Sequence, residues 1–501
     1  MRAAIDLADM GSEVILVEKK HFVGGNTALM GDLFTTDERG DEIVHTLYDE
    51  IQKRERISLF TGAEVTTMKG SVGDFAVKIN IKPRYIKPGA DTERVRSAMK
   101  HYRGEACPDE YNFGITSRKP IYMPDKACPD KPAIYPKCFN PNDDFLSSYS
   151  DCIDMGQKTE RIDINVGAIM LSTGFDAYEP AEGEYGYKQS DKIVTLQQFK
   201  RLIELNAGNE LMHNQKPVKN VVFIYCVGSR QKEDEDEGKE VNQYCSRYCC
   251  TSAIHTSLLL RKKYEGIHTY HLYRDIRTYG KQELLYDEAS LKGDIFCKFD
   301  EEEPPVVDVK HNSPRVVYKD LLFDNEAFEI EPDMVVLVTG MVPRNDSKTI
   351  AGILKTPIGS DKFFNEVHPK LRPVETVIDG IFIAGTCQGP KNITETMNSA
   401  LAAASKANSL INSGKIELEP TIISIDTDAC SWCGKCVEIC PYDALSKITT
   451  DDGKEVAKVN KSVCKGCGIC APVCPENAID IVGYTDKEIE SMIDGLIKTV
   501  E

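Results

Sequence analysis

Residues 3–10 repeat apolar side chains at helical spacing and stop at Gly11. Residues 13–17 then form a short apolar run that closes on Glu18. Helix, tight turn, apolar strand and acidic strand end make up the second half of a dinucleotide-binding βαβ unit. The first strand and its G-x-G-x-x-G turn are expected just upstream and are not in this sequence. The chain therefore reads as truncated, mis-started, or completed by another polypeptide. After the acidic strand, Gly24 and Gly25 mark a turn at which backbone can approach a pyrophosphate.

Two later segments, 166–174 (VGAIMLSTG) and 334–340 (MVVLVTG), read as buried strands ending in Thr-Gly, the first at Thr173-Gly174. Between them, 219–227 (KNVVFIYCV) starts a second α/β unit. It ends in Cys226-Val227-Gly228-Ser229, where a nicotinamide-binding domain carries a glycine-rich loop, which argues against NAD(P)H at that place. Residues 381–385 (IFIAG, ending at Gly385) form another strand, and 394–408 open an Ala-rich helix. The pattern predicts an α/β fold of two intertwined Rossmann-like domains. The first domain is expected over 1–80, 156–217 and 341–415, and the second over 218–340. Residues 81–155 read as an insertion rich in Pro, Tyr and Cys and poor in helical periodicity. The acidic run 232–240 reads as a solvated loop. A cysteine-rich α+β module is expected over 416–485, entered through a linker at 416–422, with an amphipathic helix closing the chain at 486–501.

A length of 501 residues allows two to four domains with real cores. The net charge of −18 argues against a nucleic-acid partner, because phosphate would be repelled. No apolar run reaches the roughly 18–20 residues of a membrane span, so the chain is expected not to be transmembrane. The first twenty residues lack the apolar core of a signal peptide. A cytoplasmic location follows as the expectation, and there eighteen cysteines are read as metal ligands or redox groups rather than disulfides.

The strongest signal is Cys430-x-x-Cys433-x-x-Cys436-x-x-x-Cys440-Pro, repeated as Cys464-x-x-Cys467-x-x-Cys470-x-x-x-Cys474-Pro. Three thiolates two residues apart wrap one cubane, and the fourth reaches the other cluster. One [4Fe–4S] cluster is thus assigned to Cys430, Cys433, Cys436 and Cys474, and the other to Cys464, Cys467, Cys470 and Cys440. Zinc sites use two pairs separated by a spacer instead. A second constellation joins Cys226 to Cys245, Cys249 and Cys250 in YCSRYCC. Buried inert thiols, a thiol redox centre and a third cubane all compete for it, and the cubane is favoured. Cys107, Cys128, Cys138 and Cys152 in the insertion match no compact ligand motif. Four is the number a cubane needs, so a fourth cluster and structural cysteines stand as equal readings. Cys297 is expected to be ordinary packing, and Cys387 to lie near a flavin.

Together these residues resemble the A-type subunit of heterodisulfide reductase, a flavoprotein and polyferredoxin family of methanogens and anaerobic bacteria. The matching segments are IDLADMGSEVILVEK, CPDEYNFGITSRKPIYMP, VGAIMLSTGFDAYEP, YCVGSR with YCSRYCC, VVLVTGMVP, IFIAGTCQGPKNITET and the terminal ferredoxin, spanning nearly the whole chain. The resemblance implies a thioredoxin-reductase-type FAD body that relays or bifurcates electrons. It implies a third cubane on Cys226, Cys245, Cys249 and Cys250, and FAD at Glu18, Gly24, Gly25, Thr173, Gly174 and Gly385. It also implies redox partner subunits of thiol–disulfide reductase, hydrogenase or formate dehydrogenase type, and ferredoxin. The chain departs from the family in lacking the glycine-rich loop and in the thinned cysteine set of the insertion, which reads as a degenerate ferredoxin. The alternative is a flavin-free electron-wiring subunit. An NAD(P)H-dependent disulfide reductase would need a C-x-x-C at the flavin and a second glycine loop, and the sequence has neither.

Overall fold

The computed structural model describes every residue except 35, 37, 234–240, 418–419 and 499–501, so most of the acidic run and part of the expected linker lie outside the described residues. The body consists of two α/β units that share chain segments. In the first, helix Arg2–Asp9 turns Ala3, Ala4, Ile5 and Ala8 inward and hands over to strand Val14–Glu18. Helix Gly40–Gln52 returns the chain so that Ile57–Thr61 pairs parallel with that strand. A twisted antiparallel sheet, Ala63–Ser71, Asp74–Ile81 and Glu160–Val166, follows. The expected strand 166–174 is divided: Val166 ends this sheet, while Ile169–Leu171 pairs parallel with Ile381–Ile383. Gly167, between them, lets the chain leave one sheet for the other. Phe75, Ile79, Ile381 and Ile383, all under 2% exposed, form the shared core.

The second unit is a five-stranded, all-parallel sheet in the order Ile193–Thr195, Met334–Thr339, Asn220–Val227, His268–Tyr273, Ile295–Lys298. Val221, Val222, Phe223 and Ile224 are each 0% exposed, which is why this strand is apolar throughout rather than alternating: both faces are covered. The sheet begins earlier than the boundary expected at residue 218. Ile193–Thr195 pairs with Val335–Leu337, and helix Leu196–Leu205 follows on a capping box formed by Thr195 and Gln198. Residues 193–205 therefore belong to the second unit, not to the first. The two units join through an antiparallel pair, Phe175–Ala177 against Met341–Pro343.

The insertion is more helical than its sequence suggests. Helix Thr92–His101, capped by the Asp91 carboxylate, presents Val95 and Ala98 to an aromatic core with Tyr102, Phe139, Phe145 and Tyr149. The C-terminal module pairs Ile423–Ile425 with Ile479–Ile481 and Leu445–Thr449 with Glu455–Val459, both antiparallel, so its first and last strands lie side by side. Helix Asp486–Lys498 closes it. Among the described residues no helix is long and apolar enough to cross a membrane.

Candidate redox sites

In the C-terminal module the duplicated loops fold across one another. A single pocket is lined by Cys430, Cys433, Cys436 and Cys474, together with Trp432, Ile425, Ala457 and Ile479. Three of these thiols come from the first triplet and one from the second, matching the exchange that the spacing implies. Backbone amides point at the outer ligands: Ala457 N–H donates to Cys430 Sγ at 3.5 Å and Ala478 N–H to Cys474 Sγ at 3.4 Å. The reciprocal set gathers around Cys470, whose thiol burial pushes up to about 11, with Cys440, Cys467 and Cys464 as its charged neighbours. Here Ala444 N–H donates to Cys440 Sγ at 3.4 Å. Donors of this kind stabilise the added negative charge of a reduced cluster. Cys433 and Cys467 are exposed, so each set has one ligand at the surface. Among the described residues no three His, Cys, Asp or Glu side chains converge tightly enough for a single ion, a narrower demand than four thiolates around a cubane.

The body of the protein holds a further set. Strand Asn220–Val227 ends with Cys226 in the left-handed region (φ 63°), which swings its thiol toward the start of helix Cys249–Lys263. Cys249 is held well above its ordinary value by its hydrogen bond to Cys250 and by burial, with Cys226 and Cys245 adding their charge. Cys249 thus has the other three cysteines as neighbours. Arg230 Nη1 lies 3.9 Å from Cys226 Sγ, and the Arg247 amide donates to Cys245 Sγ at 3.3 Å. A Cβ on Gly228 would meet the Tyr178 ring at 2.0 Å, so this ring lies on the turn that a dinucleotide pyrophosphate would need.

The residues assigned to FAD lie at the carboxyl ends of the first unit's strands, where open α/β sheets bind ligands. Leu171 pairs with Ile383, which brings Thr173 and Gly174 beside Gly385. A Cβ on Gly174 would sit 3.9 Å from Thr386 Oγ1. Asn26, just after Gly24 and Gly25, donates from Nδ2 to Phe175 O at 3.0 Å and ties that turn to the same edge. Gly24 has a packing reason of its own, since a Cβ there would meet the Val44 methyls at 2.6 and 2.8 Å; Gly25 faces open space. Burial raises the Glu18 carboxyl above its usual range, against the Lys20 amide that donates to it at 2.8 Å. Thr173 Oγ1 is buried with no hydrogen-bond partner, and helix Ile393–Ser413 starts beside Gly385, its Asn392 cap accepting from Glu395 N–H. An unpaired hydroxyl, a close backbone edge and a helix N-terminus fit a dinucleotide with its phosphates.

Arg247, to which sequence alone assigns no role, joins the two sites. It donates to Glu395 Oε1 at 3.0 Å and to Pro390 O at 3.2 Å, and lies over the Tyr248 ring. A basic residue between candidate ligands is the signal that points to it. In contrast, the inserted cysteines do not converge. Cys107 and Cys138 approach each other. Cys128 sits in an apolar cluster with Val23 and Val44, and Cys152 in the aromatic core beside Tyr149. Separate clusters thus hold Cys128 and Cys152, and the arrangement lends the fourth-cluster reading no support. Cys297 and Cys387 are buried and bonded to local oxygens, Tyr318 OH and Ala384 O respectively. Cys387 follows strand Ile381–Ile383, at the edge assigned to the flavin.

Two intertwined Rossmann-like units carrying a four-cysteine set and ending in a two-cluster module define an iron–sulfur oxidoreductase subunit with a flavoprotein-type body. Residues 423–481 match the 4Fe-4S dicluster domain family. The chain is similar to the second of the A-type iron–sulfur subunits of CoB–CoM heterodisulfide reductase in Methanopyrus kandleri, at 36% identity over 468 residues, covering 91% of this chain and 69% of that one. The corresponding iron–sulfur subunit of Methanocaldococcus jannaschii is 36% identical over 510 residues, covering 99% and 76%. Among solved structures, the T. acidophilum thioredoxin reductase is similar over 83% of this chain and 95% of its own, at 13% identity and a TM-score of 0.44. The chain belongs to the family of A-type iron–sulfur subunits of CoB–CoM heterodisulfide reductase.

Proposed function

We propose that this chain is the electron-relaying subunit of a heterodisulfide reductase-like complex. It would hold two cubanes in its C-terminal module, a third on Cys226, Cys245, Cys249 and Cys250, and FAD in the first Rossmann-like unit. The observation that carries the reading is the pocket lined by Cys430, Cys433, Cys436 and Cys474, a ligand set drawn from both halves of the module. FAD bound at Glu18, Thr173, Gly174 and Gly385 would supply exchange between two-electron and one-electron traffic. The chain's own groups do the rest. The amide of Arg247 supports Cys245 while its guanidinium anchors Glu395 at the helix that borders the flavin edge, so the two sites are held in one frame. Exposed Cys433 and Cys467 put the module's ligands where partner subunits can approach. Those partners would be thiol–disulfide reductase, hydrogenase or formate dehydrogenase subunits, or ferredoxin, in the cytoplasm.

The test is metal and flavin analysis of the full chain reconstituted anaerobically. About twelve irons and one FAD per chain are expected, four irons for each cubane. Cys474→Ser and Cys249→Ser should each remove about four irons, from different spectroscopic signals. A total of about eight irons unaffected by Cys249→Ser would remove the third cubane. A full iron complement without FAD would leave the flavin-free wiring subunit.

A further inference from the structure

Beneath the third cysteine set lies a polar chain that the proposed relay does not use. His271 is 0% exposed and stacked between two phenylalanines, Phe223 at 4.9 Å and 4° and Phe296 at 4.6 Å and 15°. Its Nε2 lies 3.2 Å from Asp294 Oδ2, and its Nδ1 lies 2.8 Å from the Tyr225 hydroxyl. Asp294 also accepts from Ser257 Oγ at 2.5 Å, from Thr269 Oγ1 at 2.6 Å and from Arg261. Tyr225 is 1% exposed, precedes the candidate ligand Cys226, and shares one buried cluster with Cys249 and Cys250.

Hydrogen-bond roles in this chain follow from donor and acceptor inventories. Asp294 is surrounded by donors and is paired with Arg261, so it is an acceptor-only carboxylate, and Nε2 of His271 must carry the proton. A neutral imidazole then has Nδ1 as acceptor. The Tyr225 O–H must donate to it. A phenol has one proton, so the hydroxyl has none left for a sulfur of the cysteine site. A phenylalanine at position 271 would fill the same stack without burying a polar pair, and such pairs are costly to hold in a core. Packing alone therefore does not account for the histidine and aspartate.

We propose that the Asp294–His271 pair is a positioning device that holds the Tyr225 hydroxyl away from the third cysteine set and so keeps the reduction potential of that site low. Hydrogen bonds to cluster sulfurs stabilise the more negative, reduced state and raise its potential. Removing the acceptor at position 271 frees the O–H within a buried cluster that also holds Cys249 and Cys250. This inference rests on the third-cubane reading.

The experiment uses the full chain reconstituted anaerobically, with redox titration of the EPR signal that Cys249→Ser abolishes. His271→Phe and His271→Leu should each raise its midpoint by about tenfold in the reduction equilibrium, which for one electron is about 59 mV. Tyr225→Phe alone should leave it within about threefold, since its proton is already committed to His271. The double variants with Tyr225→Phe should return to the wild-type value. Unchanged potentials in both His271 variants would overturn the proposal, as would a rise that persists after Tyr225→Phe, because that rise would come from repacking. If the wild type carries only about eight irons and shows no Cys249-dependent signal, the third-cubane reading itself fails and the inference falls with it.

Discussion

Asp294 condenses the balance of forces in the second unit into one carboxylate. Burial would raise its pKa, but the hydrogen bonds it accepts from His271, Ser257 and Thr269 outweigh that and bring it down to about 2. A depressed folded-state value stabilises the fold above the unfolded value and is lost as pH falls through the folded one. Against an unperturbed 3.8, the difference is worth about 2 kcal/mol at neutral pH, and it disappears between about pH 4 and pH 2. Hydrogen exchange along strand His268–Tyr273 should therefore report a less protected Asp294→Asn variant at about pH 7. The gap to wild type should close as the pH drops below about 4. A gap of constant size across that range would mean that the carboxylate's charge is not what stabilises the strand.

Whole elements explain why parts of this architecture are legible in sequence and others are not. The ferredoxin loops are readable because ligand spacing is written directly into consecutive residues, and the apolar runs at 219–227 and 334–340 are readable because a parallel sheet covers both faces. Strand Ile193–Thr195 escapes because three residues carry no periodicity, and only its pairing with Val335–Leu337 reveals it. The inserted cysteines stay ambiguous in sequence because number alone says nothing about which core each thiol enters. The Tyr225–His271–Asp294 chain is invisible in the sequence, since its members are 46 and 23 residues apart and meet only across adjacent strands. Helix Ile393–Ser413 is the opposite case. Its Ala-rich run is legible over 394–408, and the structure adds the cap, the Asn392 side chain accepting from Glu395 N–H at 2.8 Å. Asn392→Ala should cost about 1 kcal/mol, read as about fivefold faster amide exchange in the first turn of this helix. Asn392→Asp, which keeps the acceptor, should exchange at the wild-type rate. Equal rates in all three would assign the order of that turn to packing on helix Arg2–Asp9 instead.

At the scale of the whole molecule, the polar contacts that tie the C-terminal module to the body lie, among the described residues, on one side of the module. Lys465, next to Cys464, pairs with Asp379 at 2.5 Å, just ahead of strand Ile381–Ile383. Ser462 Oγ meets Ser71 Oγ at 3.3 Å, and Lys355, at the end of helix Ser347–Leu354, pairs with Asp443. These contacts lie beside the set Cys440, Cys464, Cys467 and Cys470. They meet the body at the amino end of strand Ile381–Ile383, whereas Gly385 and the edge assigned to the flavin lie past its carboxyl end. Both ion pairs are partly exposed, so each is worth at most about 1 kcal/mol and is weakened by salt. Together they are expected to hold the module down by roughly 1–2 kcal/mol, about a tenfold change in the undocked population. Lys355→Ala with Lys465→Ala should thus keep the full iron and sulfide content while the segment joining helix Ile393–Ser413 to strand Ile423–Ile425 is cut about tenfold faster by a protease. Wild-type protein in high salt should approach the same cleavage rate. A double variant that is cut no faster would place the docking energy in the apolar contacts between module and body rather than in these pairs, and salt would then leave wild type unchanged as well.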